Sequence, residues 1–296
     1  MRKVLQLKKT ALFLALLMAV TLISGCFGQQ KEEELVMAFV PMKDAESLVE
    51  SVEPLAELLS KELGIKVKPF TAVNYVAVVE GLGSGQVDFG FIPPFSYVLA
   101  NSESNAQVVL SSLRKDGSAT YKAQYVVRTD SEIDSLEDLA GKKIAFVDPA
   151  STSGYLYPAA QLIGLGYDID KDFQTIYAGG HDKALQAVLN GDVDMAVMFA
   201  DARQRYAADF PAAMEETRII GYTEPIPSVS ITVRGDMDAE MSERIASALL
   251  AIAEDPEALA ILKELFDIHG FVRATDKDYQ IVREVAEALD VDLTGE

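Results

Sequence analysis

The sequence predicts an α/β fold assembled from two similar lobes, and three observations predict it. Apolar, strand-like runs alternate with stretches of helical period from residue 35 onward. A plan of helix end, Gly, one polar residue, Val-Asp and apolar strand occurs twice. Its cores are Gly85-Gln86-Val87-Asp88 and Gly191-Asp192-Val193-Asp194, 106 residues apart. Four strands also run straight into helix starts: Phe70 into Asn74-Tyr75, Ile92 into Phe95-Ser96-Tyr97, Val147 into Ser151-Thr152-Ser153-Gly154, and Ala178 into His181-Asp182. Ligands of open α/β sheets sit at such carboxyl ends. Two junctions come from each half, so facing lobes would line one cleft with all four.

In chain order, residues 1–25 read as a signal peptide. Arg2, Lys3, Lys8 and Lys9 form a basic start, residues 11–23 are apolar, and Ile23-Ser24-Gly25 precedes Cys26. The apolar run is short for a membrane span. Small residues before the only cysteine of the chain resemble a lipobox, which makes Cys26 a lipidation site on the outer side of a membrane. Residues 26–34 then read as a lipid-anchored tether.

Residues 35–40 form the first apolar strand. Over 45–63, Leu48, Val52, Leu55, Leu58, Leu59 and Leu63 keep a helical spacing that stops at Gly64. A strand at 65–70, a helix at 74–82, a strand at 87–92 ended by Pro93-Pro94, a helix starting at 95–100, and strands at 108–113 and 121–128 follow. After Thr129 the pattern restarts. Ser135 and Asp138 form a capping pair on a short helical turn. Then come strand 144–147, helix 156–165, strand 173–178, helix 181–189 and strand 193–199. Strand 218–222, the turn Glu224-Pro225-Ile226-Pro227, strand 229–233 and amphipathic helices at 242–253, 256–266 and 279–289 complete the chain. The implied lobes are 35–125 plus 229–296, and 126–228, hinged near residues 126–129 and 222–228.

The stretch richest in chemistry is Asp148-Pro149-Ala150-Ser151-Thr152-Ser153-Gly154. A strand that ends in a Ser/Thr/Gly loop opening a helix leaves backbone N–H groups unpaired and aimed together. Three hydroxyls add rotatable donors. The arrangement suits a small tetrahedral oxyanion. Removal of residues 1–25 takes four basic residues from 26, leaving 22 against 46 acidic ones, a formal charge of −24. Such a surface argues against nucleic acid and polybasic membrane binding. It also implies that an anion is held by hydroxyls and local dipoles, without a general positive field. An enzyme is disfavoured: there is no Gly-x-Ser-x-Gly elbow, no zinc spacing, and only His181 and His269 as histidines. The weaker alternatives are a hydrolase using Ser151 or Ser153 with His181, and a sensor that presents a ligand to a receptor.

The runs YVAVVEGLGSGQVDFGFIPPFSYVLA, DPASTSGYLYP and AGGHDKALQAVLNGDVDMAV, in that order, resemble the phosphate/phosphite/phosphonate-binding family of ABC-transporter solute-binding lipoproteins. The resemblance spans residues 35–290. It implies the type II periplasmic-binding fold, two α/β lobes joined by two crossovers, and capture of a phosphorus oxyanion by hinge closure for delivery to a permease and its ATPase. It implies no catalysis, cofactor or metal. By the same resemblance Ser151, Thr152 and Ser153 grip the oxyanion with the loop amides up to Gly154. His181 contacts the ligand, Tyr75 and Tyr97 are cleft tyrosines, and Asp201 is the acid that accepts a P–OH proton or a ligand ammonium. One departure stands out: Ile226-Pro227 is followed by Ser228-Val229-Ser230, where aminoalkylphosphonate binders carry a further acid. That change argues for phosphate, phosphite or a short alkylphosphonate, because an ammonium would lose a charge partner.

Overall fold

The computed structural model describes residues 34–41, 45–291 and 293. The expected signal peptide, Cys26 and the tether before Glu34 lie outside the described residues. Among the described residues, no helix is long and apolar enough to cross a membrane.

Thirteen strands are described: β1 Glu34–Phe39, β2 Lys66–Thr71, β3 Phe89–Ile92, β4 Gln107–Leu113, β5 Thr120–Tyr121, β6 Ala123–Arg128, β7 Lys143–Phe146, β8 Gln174–Tyr177, β9 Met195–Phe199, β10 Thr217–Tyr222, β11 Ile226–Pro227, β12 Ser230–Val233 and β13 Gly270–Arg273. They form a six-stranded sheet ordered β13-β4-β12-β3-β1-β2, a five-stranded sheet ordered β10-β6-β9-β7-β8, and the small pair β11-β5.

The sequence echo is a structural repeat. In one sheet β3 and β2 flank β1, all parallel; in the other β9 and β8 flank β7, again parallel. Gly85 and Gly191 turn the chain with φ of +72° and +74°, a backbone region that costs glycine little. Val87 and Val193 bury beneath the turns. Asp88 Oδ2 then accepts the Val36 N–H at 2.8 Å, and Asp194 Oδ2 accepts the Lys143 N–H at 2.8 Å. Each aspartate thus satisfies a backbone amide of the neighbouring parallel strand, and the shared Gly, Val and Asp do the same work twice.

Helix Ala45–Leu63 covers the first sheet. Its residues Leu48, Val52, Leu55, Leu59 and Leu63 are buried on the predicted face against Met37, Phe89 and Leu249. Burial of each such side chain contributes roughly 1.5–3 kcal/mol. The expected capping pair is present, with Asp138 Oδ2 accepting the Ser135 N–H at 3.0 Å and the Ser135 hydroxyl at 3.1 Å. Three readings change. The strand expected over 121–128 is divided: Tyr121 pairs with Ile226 in the small ribbon, and Ala123 opens β6. An apolar run cannot by itself reveal that its chain leaves one sheet and enters another. The turn expected at residues 224–227 likewise contributes Ile226 and Pro227 to that ribbon. Residues 126–127, expected at a hinge, lie inside β6 and pair with β9, so the segments joining the two sheets are 114–122 and 223–229.

Candidate functional site

Between the carboxyl ends of β1, β3, β7, β8 and β9 lies a cavity of about 100 Å³. It is well below the roughly 300–1,000 Å³ of sites for drug-sized ligands. Tyr75, Pro93, Ser151, Ser153 and His181 line it, so all four predicted junctions reach one space, the second of them through Pro93.

The loop after β7 is built in detail. Ser151 caps a helical opening that begins as a π turn, with the Leu156 N–H bonded to Ser151 O at 3.0 Å and the Tyr157 N–H to Thr152 O. Such wide turns recur at functional sites because they re-aim local groups. Ser151 Oγ accepts the Gly154 N–H at 3.1 Å, and Gly154 O accepts the Val147 N–H at 2.9 Å, folding the loop onto its own strand. A Cβ on Gly154 would stand 2.4 Å from Val147 Cβ, so only glycine fits. The loop is also bonded to helices of the six-stranded sheet. Thr152 Oγ1 accepts the Phe95 N–H at 2.8 Å, the Ser96 hydroxyl donates to Ala150 O at 2.9 Å, and Asp148 accepts the Tyr75 N–H at 3.4 Å. Thr152 therefore serves the junction between the sheets; its hydroxyl does not line the cavity.

The hydroxyls that do line it are neutral donors. Tyr75 reaches Ser151, and burial pushes its phenol well above its ordinary pKa. Tyr121 reaches Ser153 and Thr152, and burial pushes it up to about 12. His181 is 5% exposed, stacks edge-on against Phe199 at 4.8 Å, and its Nδ1 has no hydrogen-bond partner. Ser228 Oγ is a second buried, unpartnered atom on the cavity wall.

Burial lowers the His181 pKa to about 3, so the imidazole is neutral near pH 7. The sign of its effect on stability follows. Below about pH 6.5 the unfolded chain takes up a proton that the folded chain refuses. The contribution is complete above that pH and lost as pH falls toward 3. We expect His181→Asn to flatten the stability profile by on the order of 2 kcal/mol between about pH 7.5 and about pH 4.5. Urea unfolding at the two pH values checks this; parallel losses in both proteins would show that carboxylates alone set the profile.

Several site residues were not legible in sequence. Arg114, from the first connection, and Arg205 both line the cavity, as do Tyr121, Ser112 and Ser228. The absence of a general positive field leaves room for local cations: two arginines border the cavity, each already engaged by protein acceptors. Arg114 pairs with Asp201 and with Asp267 at 2.9 Å. Arg205 donates to Leu265 O and lies 5.9 Å from the Phe199 ring centre. Asp201 is held by Arg114 and does not line the cavity. Tyr97 is not brought there either. Its hydroxyl donates to Asp276 at 2.8 Å and its ring packs edge-on against Tyr279 at 5.0 Å, in a separate core. Phe95 shares that core and meets the cup loop through its backbone N–H. Opposite the cup, Phe39, Phe91 and Phe266 stack on one another with centroids 5.1–5.4 Å apart and form an apolar wall.

Two α/β lobes around a small cavity define a substrate-binding protein of the type II periplasmic fold. The chain belongs to the phosphonate-binding family of ABC-transporter periplasmic substrate-binding proteins, which it matches over residues 37–279. It is 38% identical over 197 residues to a phosphate-import protein of Mycolicibacterium smegmatis, a match covering 60% of this chain and 61% of that relative. It is 26% identical to the phosphonates-binding periplasmic protein of Escherichia coli, covering 83% and 74% of the two chains. Its fold matches the Prochlorococcus marinus PhnD1 structure in complex with methylphosphonate, with a TM-score of 0.79, 22% identity and coverage of 88% and 99%.

Proposed function

We propose that the chain is the solute-binding component of an ABC importer. It captures a small phosphorus oxyanion (phosphate, phosphite or a short alkylphosphonate) and delivers it to a membrane permease driven by an ATPase. The observation that carries this reading is the convergence of the Ser151, Ser153, Tyr75 and Tyr121 hydroxyls and the His181 Nδ1 on one small cavity. Hydroxyls rotate to donate to a tetrahedral oxyanion, and a water-poor site strengthens each bond. Arg114 and Arg205 supply charge. The names of the relatives, one a phosphate importer and others phosphonate binders, support the same ligand class.

The phenylalanine wall supports a ligand with one apolar vertex. A P–H or P–CH3 group against Phe39 and Phe91 leaves nothing unsatisfied, whereas a fourth oxygen would lose its water without a replacement partner, at about 1–3 kcal/mol. The hydrolase alternative lacks support: a serine nucleophile needs a base oriented by a third group, and His181 Nδ1 has none. Lipidation of Cys26 would hold the body outside the membrane through the tether.

Capture proceeds by closure. The bonds from the 148–152 loop to Tyr75, Phe95 and Ser96 join the two sheets' elements, which describes a closed form. We expect methylphosphonate to bind with one-to-one stoichiometry by calorimetry, and small-angle scattering to report compaction at saturation. Absence of both binding and compaction with methylphosphonate, phosphite and phosphate would overturn the reading.

A further inference from the structure

Arg114 occupies an unusual place. It lines the inner cavity and also an outer hollow whose other walls include Asp201 and Asp267. Its guanidinium bonds to both of those carboxylates. It is thus the partition between the anion cup and the two acids beyond it. His269 bonds to Asp267 at 2.9 Å, and Arg205 lines the cavity nearby. The remaining charged residues of the hollow, Lys115 and Asp116, are exposed and of opposite sign. Arg114, Arg205, Asp201 and Asp267 sum to no net charge.

We propose that Arg114 is a specificity-determining residue that rejects phosphonates bearing an ammonium group, by occupying both carboxylates that would otherwise accept one. This rests on the oxyanion-binding reading above. An ammonium on the ligand's substituent would meet a guanidinium of like sign and find no carboxylate without a partner. Displacing Arg114 would break two ion pairs to form one and would leave its like charge beside the ligand. An alkyl substituent asks for no charge partner and rests on the phenylalanines. Asp201 is then a positioning residue: it holds Arg114 across the two sheets and does not touch ligand. The absent acid after Ile226-Pro227 and the occupied Asp201 act in the same direction. The first removes one ammonium acceptor and the second is already paired.

The test uses the isosteric pair 2-aminoethylphosphonate and n-propylphosphonate, titrated calorimetrically into the full chain, with methylphosphonate as reference. The native chain should prefer the propyl ligand. Arg114→Ala opens the cavity to Asp201 and Asp267, and the ratio should move toward the amino ligand by about tenfold or more. Adding Asp201→Asn to that variant should abolish much of the shift. A ratio unchanged in Arg114→Ala, with methylphosphonate still bound, overturns the proposal alone. Failure of every phosphorus ligand to bind the native chain overturns the functional reading with it. Arg114→Gln is a second arm that keeps a polar side chain in the partition while removing its charge. The propyl-to-amino ratio should move in the same direction, and an unchanged ratio with methylphosphonate still bound would overturn the proposal should Arg114→Ala fail to fold.

Discussion

Replacing Ser151 and Ser153 together by alanine should abolish binding of methylphosphonate while leaving a folded protein. Both hydroxyls line the cavity, and both are almost completely buried. A hydrogen bond to a charged group contributes about 1.5–3 kcal/mol, so the pair should weaken binding by about 10²–10⁴-fold. The two single variants separate the roles. Ser151 also caps the helix and accepts the Gly154 N–H, so Ser151→Ala should cost about 0.5–2 kcal/mol of stability as well as affinity. Ser153 has no capping bond of that kind, and Ser153→Ala should lower affinity with thermal unfolding close to native. Calorimetry and thermal denaturation read the two effects independently. A double variant that binds within about threefold of native would move the anion site away from this loop.

The parts of the site that were readable in sequence share a property. Ser151, Ser153, His181 and Tyr75 each follow an apolar strand by a few residues, and strand-to-helix junctions are fixed by local periodicity. The repeated Gly-x-Val-Asp core was readable because a left-handed glycine and a buried valine are local devices; the long-range bond of its aspartate to a neighbouring strand was not. Arg114 and Tyr121 belong to the connection between the sheets, where no period operates. Arg114-Lys115-Asp116-Gly117 reads as a solvated charged turn, and only the tertiary fold turns its first residue inward onto two aspartates. Ser228 carried a faint signal, since it sits in the stretch whose missing acid already stood out. Tyr97 was assigned to the cleft because its helix starts there. Its side chain packs against Tyr279 on the far side of that helix start instead. The lesson concerns direction: a junction locates a helix start, and the 100° step per residue decides which side chains it offers.

The glycines near the start and at the end of the helical stretch after β7, Gly154 and Gly164, should respond to alanine with opposite sign. At Gly154 an added methyl would lie 2.4 Å from Val147 Cβ and 2.8 Å from Ser151 Oγ. Val147 Cβ is fixed to the backbone just past β7, so no rotamer change relieves the contact, and the loop itself must move. Overpacking of this kind costs about 1–3 kcal/mol. Displacement of the loop also shifts Ser151 and the amides that follow it, so affinity for methylphosphonate should fall with stability. Val147→Ala keeps the offending Cβ and should not rescue the variant, which distinguishes a backbone-level clash from ordinary side-chain crowding. Gly164 closes the next helix with nothing within 4 Å of a built Cβ. Gly164→Ala should be neutral or stabilising by up to about 1 kcal/mol, through lower unfolded-state entropy and higher helix propensity, with binding untouched. Denaturant midpoints for the pair, measured beside methylphosphonate titrations, decide the matter. A Gly154→Ala protein as stable as native would mean that the loop is loosely seated on β7 and cannot be the rigid element on which the oxyanion donors are aligned.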